Sequence, residues 1–272
     1  MMPEKVDRRP PLEQRLKSLY TLRRFATTPK NPVKNRFIVF GQSRCGSTLL
    51  TELLASHPDV DCRGEIYYHA PFLPHLYRQA VERTSHGSTF GFKMHVHQLD
   101  SKLHLDKKNQ QTFVKTLRDD GYRFIYLRRR NVVRHVMSDQ LRSAGGSTHV
   151  RAITDTKAEP LGKASEQPDK LRVDITDVIN HIRIREHYWT LAEELLQDIS
   201  YHTVEYERDL ADGTQHQATL DALFDFLGLD RAPVSTNLRR INTKPLEDLV
   251  ENFGELETSL SGTPWKDYLY VA

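Results

Sequence analysis

The sequence predicts an α/β fold in three layers, a central parallel sheet flanked by helices. Strand-like and helix-like segments alternate along the chain, the order that a parallel sheet with crossover helices imposes. Residues 36–40 and 122–127 are strongly apolar runs that each feed directly into a turn and a helix, as strands buried on both faces require. The 272 residues suffice for one large domain with peripheral additions and a sizeable core.

Residues 1–34 read as a basic N-terminal extension. Leu12, Leu16, Leu19 and Tyr20 recur at helical spacing among Arg15, Lys17, Arg23 and Arg24. Such a helix either packs on the domain with its basic face solvated or makes peripheral membrane contact through residues 10–26. Residues 27–32 are a linker by composition.

The main domain, 35–272, opens with the strand at 36–40 and a helix over 47–56, stopped at His57-Pro58. A short strand over 60–63, a helix over 73–83 and an alternating strand over 90–97 follow. A helix over 106–119 precedes the strand at 122–127, which runs into a basic helix over 131–141. Residues 143–171 are polar and glycine-bearing; a loop of this length is usually functional or mobile, so this is the expected acceptor loop. A long helix over 175–197, a last core strand over 201–206 and a helix over 219–227 ended by Gly228 come next. An irregular basic segment from Pro233, a helix over 245–260 and a tail complete the order.

Composition excludes several classes. With 39 basic and 36 acidic residues the formal net charge is only +3, too balanced for a dedicated nucleic-acid binder. No apolar run approaches the ~20 residues that span a bilayer, and no signal peptide is legible, so a cytoplasmic, at most membrane-peripheral, protein is expected. Cys45 and Cys62 lack metal-ligand spacing; they read as free thiols in a reducing compartment or, alternatively, a regulatory disulfide. Oligomeric state is not legible.

The chemistry concentrates at two strand-to-helix transitions. After the strand at 36–40 come Gly41-Gln42-Ser43-Arg44-Cys45-Gly46-Ser47-Thr48. Gly41, Gly46 and Thr48 match the nucleotide-binding P-loop, but Ser47 stands where the phosphate-binding lysine belongs, and a cation, Arg44, appears three residues earlier. Backbone N–H groups and a helix N-terminus there still suit a phosphate. The second transition, Leu127-Arg128-Arg129-Arg130-Asn131, has Ser138 on the following helix. In a parallel sheet both lie at the carboxyl edge, where α/β folds bind ligands. A ligand with two separated anionic groups accounts for both.

These motifs resemble the sulfotransferases that use 3'-phosphoadenosine-5'-phosphosulfate (PAPS). Arg44-Cys45-Gly46-Ser47-Thr48 is similar to their first signature, and an arginine with a serine eight or nine residues later to their second: Arg130 to Ser138 is eight, Arg129 to Ser138 nine. Within that superfamily the chain looks like bacterial glycan or glycolipid enzymes, the rhizobial Nod-factor sulfotransferases and more distantly the mycobacterial trehalose sulfotransferase. Ser56-His57-Pro58, Gly64-Glu65-Ile66, 206–210, 242–245 and 262–265 also fit, so the resemblance spans about 36–270. One departure is Ser147-Thr148-His149-Val150, where relatives often carry Trp-His.

The resemblance implies sulfuryl transfer from PAPS to a hydroxyl of a glycan or glycolipid acceptor, with 3'-phosphoadenosine-5'-phosphate (PAP) as product and no metal. It implies donor contacts from Ser43, Arg44, Cys45, Gly46, Ser47 and Thr48, from Arg129 or Arg130 with Ser138, and from Arg240 and Lys244. Arg44 is the candidate cation at the bridging oxygen. Glu65 matches the family's base. Lys93, His95 and His97 share one face of an alternating strand, so a histidine is an alternative base and Lys93 a sulfonate ligand. A P-loop kinase or ATPase, and a non-catalytic phosphonucleotide-binding module, are the competing readings.

Overall fold

The structure, a computed structural model, describes residues 33–71, 73–143, 149–153, 157–160, 170–240 and 244–271, with 16, 19, 23 and 27. Those four are helical, and Leu16 and Leu19 are exposed; the rest of the N-terminal extension, including the proposed membrane-contact stretch, lies outside the described residues. Among the described residues no helix is long and apolar enough to cross a membrane.

Five parallel strands form the main sheet: β1 (Asn35–Gly41), β2 (Val60–Glu65), β3 (Thr89–His95), β4 (Tyr122–Arg128) and, numbered by its place in the chain, β7 (Tyr201–Glu205). Their order is β2-β3-β1-β4-β7, so β1 is central, flanked by β3 and β4. Its burial explains its composition. Ile38 and Phe40 join Phe92, Met94 and Phe124 on one face, while Phe37 and Val39 join Ile125 and Leu127 on the other.

Helices cover both faces. Phe113, Val114 and Leu117 of α4 (Lys107–Asp119) and Ala192, Leu195 and Leu196 of α6 (Ile175–Leu196) close the first. Leu50, Leu53 and Leu54 of α1 (Ser47–Ala55) and Leu220, Leu223, Phe224 and Leu227 of α7 (His216–Leu227) close the second. This is the expected three-layer α/β architecture with an all-parallel central sheet. The remaining helices are α2 (Pro74–Arg83), α3 (Gln98–Ser101), α5 (Val132–Ser143), α8 (Leu246–Leu249) and α9 (Phe253–Leu260).

Three elements differ from expectation. The segment read as one loop over 143–171 contains β5 (His149–Ile153) and β6 (Lys157–Pro160), which pair antiparallel and continue onto β8 (Leu238–Arg240); its other residues between 144 and 169 lie outside the described part. β5 pairs both with the adjacent β6 and with β8, which is remote in sequence. The helix expected over 245–260 is broken because Val250 is extended and bridges Leu171, and the Asn252 side chain bonds both the N–H and the carbonyl of Val173. The strand expected to reach His97 stops at His95; His97 sits in the turn before α3.

Candidate active site

The strand order reverses direction at β1, and the carboxyl end of such a strand is where an open α/β sheet leaves a crevice. The loop leaving β1 is held rigidly. A Cβ at Gly41 would lie 2.3 Å from the Leu127 carbonyl oxygen, and one at Gly46, where φ is 93°, would lie 2.5 Å from the Tyr206 ring. Both glycines therefore permit close approach. Arg44 itself adopts a left-handed conformation at φ 67°, a strained state for a side-chain-bearing residue.

Side chains from three other elements pin this loop. His135, fully buried on α5, lies 2.6 Å from the Ser43 carbonyl through Nε2. A carbonyl can only accept, so Nε2 carries the proton, and burial with the charges of Arg185 and Arg129 keeps the ring neutral. Arg185 of α6 donates to Ser43 Oγ at 3.2 Å and to Asp139 at 2.8 Å. Arg129 donates to the Arg44 carbonyl at 3.1 Å and lies over the Tyr206 ring at 4.7 Å. The buried Cys45 thiol bonds the Gln42 carbonyl, and burial raises its pKa to about 11, so it packs as a neutral group beneath the loop.

The loop then opens α1 without a side-chain cap, leaving the first-turn N–H groups for a ligand. Arg44 faces Ser138 Oγ at 3.4 Å, and its buried Nε makes no hydrogen bond among the described residues. Burial, then the charges of Arg142 and Arg129, push the Arg44 pKa down. The guanidinium stays charged, so it is a desolvated cation among cations, a setting that an anion relieves.

The adjoining strands bring the second half of the site. Glu65 ends β2 and receives hydrogen bonds or ion pairs from Gln98 Nε2 at 2.8 Å, His95 Nδ1 at 3.3 Å and Lys93 Nζ at 3.4 Å. Burial pushes this carboxyl up, but the hydrogen bonds and charges of His95 and Lys93 outweigh it and hold its pKa down at about 2. Lys93 also reaches Thr48 Oγ1 at 3.4 Å, so a neighbouring strand brings a cation to a loop that has Ser47 in the lysine position. His95 directs Nε2 toward Ser47 Oγ at 3.5 Å. Desolvation, with the nearby His95 and Arg185, lowers the His97 pKa to about 4.

Ser43, Arg44, Gly46, Ser47 and Thr48 therefore share one cavity of about 410 Å³ with Glu65, Lys93, His95 and His97. Residues 36–135 match the model of the family described as the sulfotransferase family, a stretch that holds both strand-to-helix transitions. The match covers the β1 loop and the turn after β4 but less than half of the chain. The matched family is one of enzymes that transfer a sulfuryl group from PAPS. No curated protein matches the chain.

The residues present suit that donor by their own chemistry: an uncapped helix start, a left-handed loop residue whose guanidinium lacks a full set of partners, and a lysine directed at the loop. PAPS supplies an activated sulfuryl group on a nucleotide phosphate leaving group.

The triple arginine divides. Arg128 lies over the Trp189 ring at 5.0 Å and pairs with Glu193. Arg129 is only 8% exposed and is committed to the Arg44 loop, whereas the Arg130 side chain is 66% exposed with Glu205 at 3.9 Å. Neither Arg129 nor Arg130 lines the cavity. Lys244 is exposed, its carbonyl receiving Arg134, and Arg240 belongs to β8, paired with His149; its side chain lies outside the described part.

Sequence reasoning missed Gln98, Asp139, Arg142, Arg185, Tyr68 and Lys102. Arg142 follows Ser138 by one helical turn, a signal that was available. Arg185 lies 142 residues from Ser43 and gave none.

Proposed function

We propose that this protein transfers the sulfuryl group of PAPS to a hydroxyl of a carbohydrate or glycolipid acceptor. The carrying observation is the Glu65–His95–Ser47 line, in which a carboxylate, an imidazole and the phosphate-type loop succeed one another at 3.3 and 3.5 Å. The carboxylate can only accept, so Nδ1 of His95 holds a proton, and Nε2 is the nitrogen that faces the loop. His95 takes the acceptor's proton; Glu65 orients the ring and compensates the imidazolium that forms. The Glu65 oxygens are already engaged by Gln98, His95 and Lys93, so we assign Glu65 to positioning rather than to the proton transfer itself. Arg44, Lys93 and the first-turn N–H groups of α1 neutralise charge that develops as the sulfuryl group leaves its phosphate. The hydroxyl-bearing acceptor class is supported by the polar wall, where His97, Tyr68 and Lys102 continue the cavity past Glu65.

The test is incubation with sulfur-labelled PAPS and a panel of glycans, glycolipids and small alcohols, read by mass spectrometry. Calorimetry with PAP in EDTA accompanies it. Label is expected on a sugar hydroxyl, and PAP is expected to bind at micromolar or tighter Kd, about −8 kcal/mol. ATP binding as tightly as PAP, or label only on non-sugar alcohols, would overturn the donor or the acceptor half respectively.

A further inference from the structure

The strand order gives the cleft two ends. Asp139 and Arg142 follow β4 and lie to one side of the β1 loop; Tyr68 follows β2, and Lys102 follows β3 and α3, on the other side. All four line the same cavity, with Glu65, Lys93 and His95 between them. The inference rests on the donor reading above, which assigns the β1 loop and the α5 side to the nucleotide. The Tyr68–Lys102 end is then where the acceptor enters.

The acidic groups of the cavity wall are already engaged: Glu65 with Lys93 at 3.4 Å, and Asp139 with Arg185 at 2.8 Å. Lys102 differs from Lys93. Among the described residues it makes no ion pair; its ammonium lies 5.0 Å from the centroid of the Tyr68 ring, and Tyr68 is 55% exposed. An aromatic face steadies an ammonium without neutralising it, whereas a carboxylate would cancel its charge. A steadied, uncancelled cation in the wall of a cleft attracts an anion.

We infer that Lys102, held by Tyr68, binds an oxyanion carried by the acceptor, so that the acceptor is an anionic sugar bearing a carboxylate, sulfate ester or phosphate ester. The hydroxyl to be modified then faces His95 while the anionic group rests at Lys102.

The experiment uses the full chain, with and without saturating PAP. Probes are methyl β-D-glucopyranoside, the corresponding methyl glucuronoside, and the 6-sulfate and 6-phosphate of the parent glycoside, titrated separately so that the three anion chemistries are distinguished. At least one anionic probe is expected to bind about 10- to 100-fold tighter than the neutral parent, the range of one charge-assisted hydrogen bond. Lys102→Ala should abolish that advantage, Lys102→Arg should retain most of it, and PAP affinity should stay within about twofold in both, which also reports that the variants fold. Equal binding of neutral and anionic probes, binding of none, or an advantage that survives Lys102→Ala overturns the inference. A loss of PAP affinity in Lys102→Ala would reassign Lys102 to the donor. Failure of the wild type to bind PAP would sink the donor reading, while the arms without PAP still decide whether Lys102 selects an anion.

Discussion

At the scale of single residues, two candidate bases are separated by their surroundings. Glu65 is met by three donors and held at about 2, so it contributes no titration to a rate profile between pH 4 and 8. His95→Gln is expected to lower single-turnover rates by about 10²–10⁴-fold, with PAP affinity retained. Glu65→Gln keeps the shape of the side chain and leaves the imidazole in place, so turnover falls less. If Glu65→Gln is the more damaging of the two, Glu65 is the base after all. Single-turnover rates are the quantity to compare, because product release can mask the chemical step. Both residues were legible in the sequence, Glu65 from Gly64-Glu65-Ile66 and His95 from strand alternation. Their order of action was not, because it depends on Gln98 and Lys93 converging on the carboxylate from beyond and along β3.

At the scale of elements, the two phosphate-type loops are coupled by the turn after β7. Tyr206 packs against Gly46 and under Arg129, and the Glu207 carboxylate accepts from the backbone N–H groups of Arg130 at 2.8 Å and Asn131 at 3.0 Å. A carboxylate at the start of α5 serves as its cap and suits the positive end of the helix dipole. This brace separates the roles of two neighbouring arginines. Arg129→Ala disturbs the β1 loop, so it should weaken binding of both PAP and AMP. If the exposed Arg130 guanidinium takes the 3'-phosphate, Arg130→Ala should weaken PAP by about 10- to 100-fold and leave AMP unchanged. Equal losses for both nucleotides in Arg130→Ala would reject that division. Glu207→Ala should behave like Arg129→Ala. The periodicity predicted nearly every element of the main sheet and its covering helices. It failed at β5 and β6, a hairpin onto which the remote β8 pairs, and at the break between α8 and α9, where pairing with a distant segment overrides local propensity.

At the scale of the whole molecule, the sheet order explains why residues from Ser43 to Arg185 meet at one edge, a convergence no local pattern reveals. The same compact packing buries histidines and gives the protein a directional response to acid. His75, His97, His135 and His202 all have lowered pKa values, with desolvation the largest cause in each and His97 reaching about 4. In the unfolded chain each returns to about 6.5. Between those limits the unfolded state binds more protons than the folded state, so stability falls as pH drops below about 6.5 and is insensitive to these groups above it. Glu65 adds a second window: its carboxylate contributes stability above about 4.5 that is lost as pH falls toward 2. Urea denaturation at pH 7.5 and pH 5 should therefore show a lower midpoint at pH 5 with little change in slope, and His97 alone should account for about 1–2 kcal/mol of the difference. Global charge repulsion also grows in acid, so the decisive comparison is with His97→Gln, which cannot titrate. That variant should lose part of the pH dependence while following the wild type above pH 7. A wild-type midpoint that is flat from pH 7.5 to 5, or a His97→Gln profile parallel to the wild type throughout, would mean that His97 is solvated rather than desolvated beside His95 and Arg185.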